Sequence, residues 1–89
     1  MITIHKFPIP ITDRFDLRMP RGVAILRAEC QRGQPCLWAL VDTDEPMEDV
    51  SFRIYGTGHP IDTDVYWTLG YVDTFQQGPC VWHLFRTEG

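Results

Sequence analysis

The chain has 89 residues, 44% of them hydrophobic and 12% aromatic, and a formal net charge of −4. A chain of this length makes one domain, residues 1–89, burying about two-thirds of the surface its unfolded form exposes, and the aromatic content excludes disorder. Lys6 is the only lysine and no Lys/Arg run exists, which argues against direct nucleic-acid binding, since that affinity comes from clustered positive charge.

Apolar residues recur at period two along most of the chain. Ile2 to Phe7 alternates loosely and ends at Pro8. The opening MITIHKFPIP lacks the basic start, long apolar run and small-residue cleavage site of a signal peptide. Phe15, Leu17 and Met19 share one face of a second strand, and Pro20-Arg21-Gly22 turns the chain. Val23 to Gln31 predicts a third strand. Gln31-Arg32-Gly33-Gln34 reads as a hairpin turn. Cys36 to Val41 is apolar on both faces, as a central strand requires. Asp42 to Asp49 reads as a solvated acidic loop around Pro46, with an acidic lip for basic partners as the functional alternative. Val50, Phe52 and Ile54 then point one way, and Ser51, Arg53 and Tyr55 the other. The glycine-rich YGTGHP follows, and Asp62-Thr63-Asp64 caps one helical turn at most. Leu69 to Gln76 and Cys80 to Arg86 are the last strands, joined by a turn at Gln77-Gly78-Pro79. The expected fold is all-β: a small antiparallel β-sandwich or barrel of six to seven short strands. Trp38, Trp67, Trp82, Phe52, Phe75 and Phe85 are expected in the core, with Tyr66 or Trp67 as the candidate for exposure. Exposed edge strands in so small a sheet suggest closure by a second copy, so a homo-oligomer is expected.

The three cysteines, Cys30, Cys36 and Cys80, show no CxxC pattern and no zinc-type spacing. Cys30 and Cys36 flank the hairpin turn. A three-residue loop would set them opposite each other, and a two-residue loop would put them out of register. Both are read as buried free thiols, and Cys80 as structural. His5, His59 and His83 form no metal motif, and His83 in VWHLF reads as a hydrogen-bonded structural residue. No stretch approaches the roughly 20 apolar residues of a membrane span. The expectation is a soluble cytosolic protein without metal or other cofactor.

One stretch concentrates chemistry. Gly56 and Gly58 permit a sharp turn and close approach of another group, Thr57 and His59 add a hydroxyl and an imidazole, and Tyr55 offers a ring. Arg53 shares the sheet face of Tyr55 and adds fixed positive charge. Successive amides of such a turn can also form a nest for an anion. Arg53, Tyr55, Gly56, Thr57, Gly58 and His59 are therefore the candidate ligand-binding residues, for a small anionic or nucleotide-like ligand. The plainer reading of the same residues is a strand-ending turn stiffened by Pro60. GTG is too short for a P-loop or dinucleotide fingerprint, and no catalytic residue is assigned.

The segments KFPIPITD, PRGVAIL, GQPCLWALVD, FRIYGTGHPID, GYVDTFQ and VWHLF, in that order, resemble a family of short uncharacterised proteins of bacteriophages and prophages. The resemblance covers nearly the whole chain, with CLWALVD and RIYGTGHPI its most specific pieces. It departs at DVYWT, Asp64 to Thr68, a variable connection. It implies a phage origin, a compact all-β fold, expression in the host bacterial cytoplasm and no known enzyme activity. On that footing the first expectation is a non-catalytic binding or inhibitory protein. It would counter host defence by engaging a host protein or sequestering a small anionic or nucleotide ligand. A structural virion or assembly component is the second reading. A small hydrolase with His59 as base and Asp62 or Asp64 as orienter is the third.

Overall fold

Period-two alternation resolves into seven strands: β1 (Ile2–Pro8), β2 (Arg14–Pro20), β3 (Ala24–Gln31), β4 (Gln34–Asp42), β5 (Met47–Gly56), β6 (Leu69–Gln77) and β7 (Cys80–Thr87). The structure is a computed structural model and describes residues 1–88. Among these, the one helical piece is a 3-10 turn, Tyr66–Thr68, and no helix is long and apolar enough to cross a membrane.

The strands form two antiparallel sheets, ordered β1-β4-β3 and β2-β5-β7-β6, packed face to face as an all-β sandwich. The apolar run of β4 fits its place at the centre of the three-stranded sheet. Alternation then sets the layers. Leu37, Ala39 and Val41 point inward from β4, and they meet Met19, Val50, Phe52, Ile54, Phe75 and Leu84 from the other sheet. Phe15 stacks on Phe52 across the β2–β5 pair, with ring centroids 5.3 Å apart. Burying side chains of this size contributes about 1.5–3 kcal/mol each, which makes this layer the main source of stability.

The two sheets are fastened along one side. The backbone N–H of Ala28 on β3 donates to Asp73 Oδ2 on β6 at 2.8 Å. Bulges interrupt both strands nearby, between Ile25 and Arg27 on β3 and between Tyr71 and Asp73 on β6. The carboxylate thus satisfies an edge amide that the ladder leaves open.

Several expectations are corrected. The acidic loop shrinks to Thr43–Pro46, because Asp42 pairs with Ile2 and Met47 to Asp49 pair with β2. The hairpin after β3 has a two-residue loop, with Arg32 at φ 51°, so Cys30 faces Pro35 and Cys36 faces Glu29. All three cysteines are free; Cys36 is buried, Cys30 is only half-buried where a buried thiol is expected, and Cys80 is exposed. Of the aromatic residues expected inside, Phe52 and Phe75 are buried and Trp82 packs against the core. Trp38 and Phe85 lie on outward faces, half-buried, and Trp67 is 76% exposed.

Candidate functional site

β5 and β6 are both antiparallel to β7, so they run parallel to each other. The connection 57–68 must therefore travel from the Trp82 end of β7, where Gly56 pairs, to the Thr87 end, where Leu69 pairs. The candidate residues lie where this connection leaves β5.

Gly56 to His59 form a tight turn closed by the His59 N–H donating to Gly56 O at 3.0 Å, with Gly58 at φ +85°. A side chain at that φ is strained, so the second glycine answers to geometry. The first answers to a different need. The His59 imidazole doubles back on Gly56, whose N–H donates to Nδ1 at 3.2 Å. A Cβ built on Gly56 would lie 2.7 Å from His59 Cε1. The imidazole also meets the Trp82 indole edge-on, centroids 6.4 Å apart. This arrangement overturns the amide-nest expectation. The Gly56 N–H is taken by His59, and the Thr57 N–H by Val81 O at 3.4 Å. It also occupies Nδ1 of His59, the nitrogen a carboxylate orienter would need.

Arg53 and Tyr55 share the outward face of the four-stranded sheet, as alternation predicts. Arg14 lies directly opposite Arg53, and His83 opposite Tyr55. Tyr55 and Tyr71 each meet the Phe85 ring edge-on, at 5.9 and 5.8 Å. A run of polar groups crosses this face: Thr57 Oγ1 to His83 Nε2 at 2.7 Å, His83 Nδ1 to Thr74 Oγ1 at 3.0 Å, and Thr74 Oγ1 to Tyr71 OH at 2.8 Å. His83 is thus the hydrogen-bonded structural histidine that its strand suggests. A neutral imidazole donates through one nitrogen and accepts through the other, so it orders the hydroxyls on both sides. Sequence reasoning did not connect His83 with Thr57, because their proximity depends on the β5–β7 register.

Two clefts of about 350 Å³ each flank His59. Arg53, Tyr55, Asp13 and Asp62 line one, and Gly56, Thr57, Cys80 and Trp82 line the other. Gly58 lines neither. Each cleft is lined by a residue with a buried N–H donor that has no partner among the described residues, Arg53 Nε in the first and Trp82 Nε1 in the second. A larger depression of about 530 Å³ lies at the Thr87 end, with Asp49, Arg86 and Glu88 in its wall, but neither Arg53 nor Trp82 lines it. Among the described residues no cluster of His, Cys, Asp or Glu is gathered to hold a metal ion. Away from the clefts, the Asp44 N–H bonds the Asp42 carboxylate at 3.0 Å and holds its pKa below the usual range.

The fold defines the chain first as a small two-layer antiparallel β-sandwich. The model of the family described as domain of unknown function DUF7352 matches residues 1–89, and the chain belongs to that family. Neither the curated proteins nor the solved structures contain a match to it.

Proposed function

We propose that the chain is a non-catalytic binding protein that holds a small anionic, nucleotide-like ligand in the clefts on either side of His59. The observation that carries this reading is the pair of buried donors without a partner among the described residues, Arg53 Nε and Trp82 Nε1, on residues that line the two clefts. A buried donor left unpaired costs about 1–3 kcal/mol, so a ligand acceptor that reaches it gains that amount in addition to its own contacts. The guanidinium of Arg53 fits a phosphate or carboxylate with two parallel N–H groups. Tyr55 supplies a ring for stacking. Asp13 and Asp62, in the same cleft, accept from hydroxyl or amine groups. A nucleotide combines an anion, a planar ring and such donors, and the cleft volume is within the usual range for small ligands. The resemblance to phage proteins supports setting this proposed role in the cytoplasm of an infected bacterium, where holding a signalling nucleotide would blunt host defence.

Thermal unfolding with a panel of linear and cyclic nucleotides tests the reading. A ligand at 100 times its Kd stabilises by about 2.7 kcal/mol, a shift of many degrees for so small a domain. At least one nucleotide is expected to raise the Tm of the natural chain, and Arg53→Ala to abolish the rise while keeping the circular dichroism spectrum. No shift with any nucleotide removes the proposal.

A second reading, engagement of a host protein, is favoured by one observation. Tyr66 and Trp67 stack with centroids 6.4 Å apart and stand 60% and 76% exposed on the 3-10 turn. Tryptophan and tyrosine dominate binding hot spots. Trp67→Ala is expected to leave stability within about 0.5 kcal/mol of the natural chain and to lose capture of a bacterial partner. Capture that survives the substitution removes this turn from the interface.

A further inference from the structure

The outward face of the three-stranded sheet carries an aliphatic patch at one end. Alternation and the β3 bulge leave Ile2, Ile4, Leu40 and Leu26 there, exposed by 69%, 55%, 40% and 53%. The register makes them neighbours. Ile4 faces Leu40, which faces Ala24 on the other side, and Ile2 lies one row away beside Asp42. At the opposite end Lys6 faces Trp38, which faces Arg27. The largest contiguous apolar patch on a small protein often marks an interaction site.

The charges at the two ends of this patch have opposite signs. At the Ile2 end the Met1 ammonium pairs with both Asp42, at 3.3 Å, and Asp44, at 2.8 Å, so two carboxylates against one ammonium leave that end with an excess of negative charge. Lys6 and Arg27 stand at the Trp38 end, with Lys6 Nζ 5.9 Å above the Trp38 ring and bonded to Gln31, and Arg27 bonded to Glu29 at 3.0 Å. Consider a two-fold axis lying along the Ile4–Leu40–Ala24 row, with two copies stacked face to face. The central aliphatic row then packs on itself, and Asp42 of each copy comes over the Lys6–Trp38–Arg27 row of the other. The patch is therefore self-complementary in apolar character and in charge, as an interface that repeats the same surface on both subunits requires. The molecule measures 40 × 33 × 16 Å, so one broad face is large enough for the roughly 800 Å² per partner of a standard interface.

We propose that this face is the interface of a symmetric dimer and that its occupant is a second copy of the chain. The proposal does not rest on the ligand reading, because the His59 clefts involve β5, β7 and the connection after β5, all outside the three-stranded sheet.

Sedimentation equilibrium tests it. The natural chain is expected at twice its 10.3 kDa mass. Leu40→Lys and, separately, Ile4→Lys place a charge at the centre of the interface on exposed positions. Each is expected to weaken association by about tenfold or more with an unchanged circular dichroism spectrum. Asp42→Lys is expected to weaken it, and Asp42→Lys combined with Lys6→Glu to restore part of it. Tyr71→Lys, on the outward face of the other sheet, is expected to remain dimeric. A natural chain that stays at a single-chain mass at high concentration overturns the proposal. So does a dimer that persists in both Leu40→Lys and Ile4→Lys, or one that is lost in Tyr71→Lys.

Discussion

Gly56 and His59 act as a pair. The imidazole lies where a Cβ on Gly56 would stand, and the same ring accepts the Gly56 N–H. Gly56 has no positive φ, so alanine there conflicts with His59 and not with the backbone. Gly56→Ala is expected to displace the imidazole and cost about 1 kcal/mol, the worth of one hydrogen bond. In a His59→Ala background the same change is expected to be neutral or to stabilise by up to about 1 kcal/mol, because alanine restricts the unfolded chain. Urea unfolding of the four proteins measures the coupling, and additive effects would show that the ring and the glycine are independent. The sequence marks these residues correctly as a turn with chemistry close by. It gives no sign that the histidine is the reason for the first glycine, because that depends on a rotamer. It is equally silent on the bonds from His83 to Thr57 and Thr74, which bring together residues 26 and 9 positions apart.

At the level of strands, the local pattern is legible in the sequence. The alternation of Phe15, Leu17 and Met19, and of Val50, Phe52 and Ile54, identifies the inward faces of β2 and β5. The doubly apolar β4 announces a central strand. Aromatic content misleads, because Trp38, Phe85 and Trp67 look like core residues but belong to outward faces or to the connection. Which side of a strand is inside depends on its partners, and a residue such as Trp67 on a 3-10 turn has no alternation to place it. The Asp73–Ala28 bond is another feature without a local signal. Asp73→Ala is expected to destabilise by about 1.5–3 kcal/mol, the range for hydrogen bonds to a charged acceptor, and to promote aggregation through the released β3 edge. Asp73→Asn keeps an acceptor oxygen and is expected to cost less. Chemical unfolding together with light scattering separates the two effects, and an Asp73→Ala protein as stable as the natural chain would show that this bond fastens nothing.

For the molecule as a whole, the order in which its parts can form follows from how far apart they are in sequence. The β3–β4 and β6–β7 hairpins close through two-residue turns, between Gln31 and Gln34 and between Gln77 and Cys80. β5 joins β7 only across the connection and the whole of β6, with Gly56 meeting Trp82. Closing a loop of that length is slower and entropically costlier than forming either hairpin. Both His59 clefts need β5 in place, since one takes Arg53 and Tyr55 from it and the other lies between Gly56 and Trp82. Loop-closure entropy therefore predicts that the hairpins form before the clefts. Anything held in the clefts acts on the lifetime of the finished fold and leaves the speed of its assembly untouched. A ligand there works as a latch, and its effect belongs to the unfolding rate.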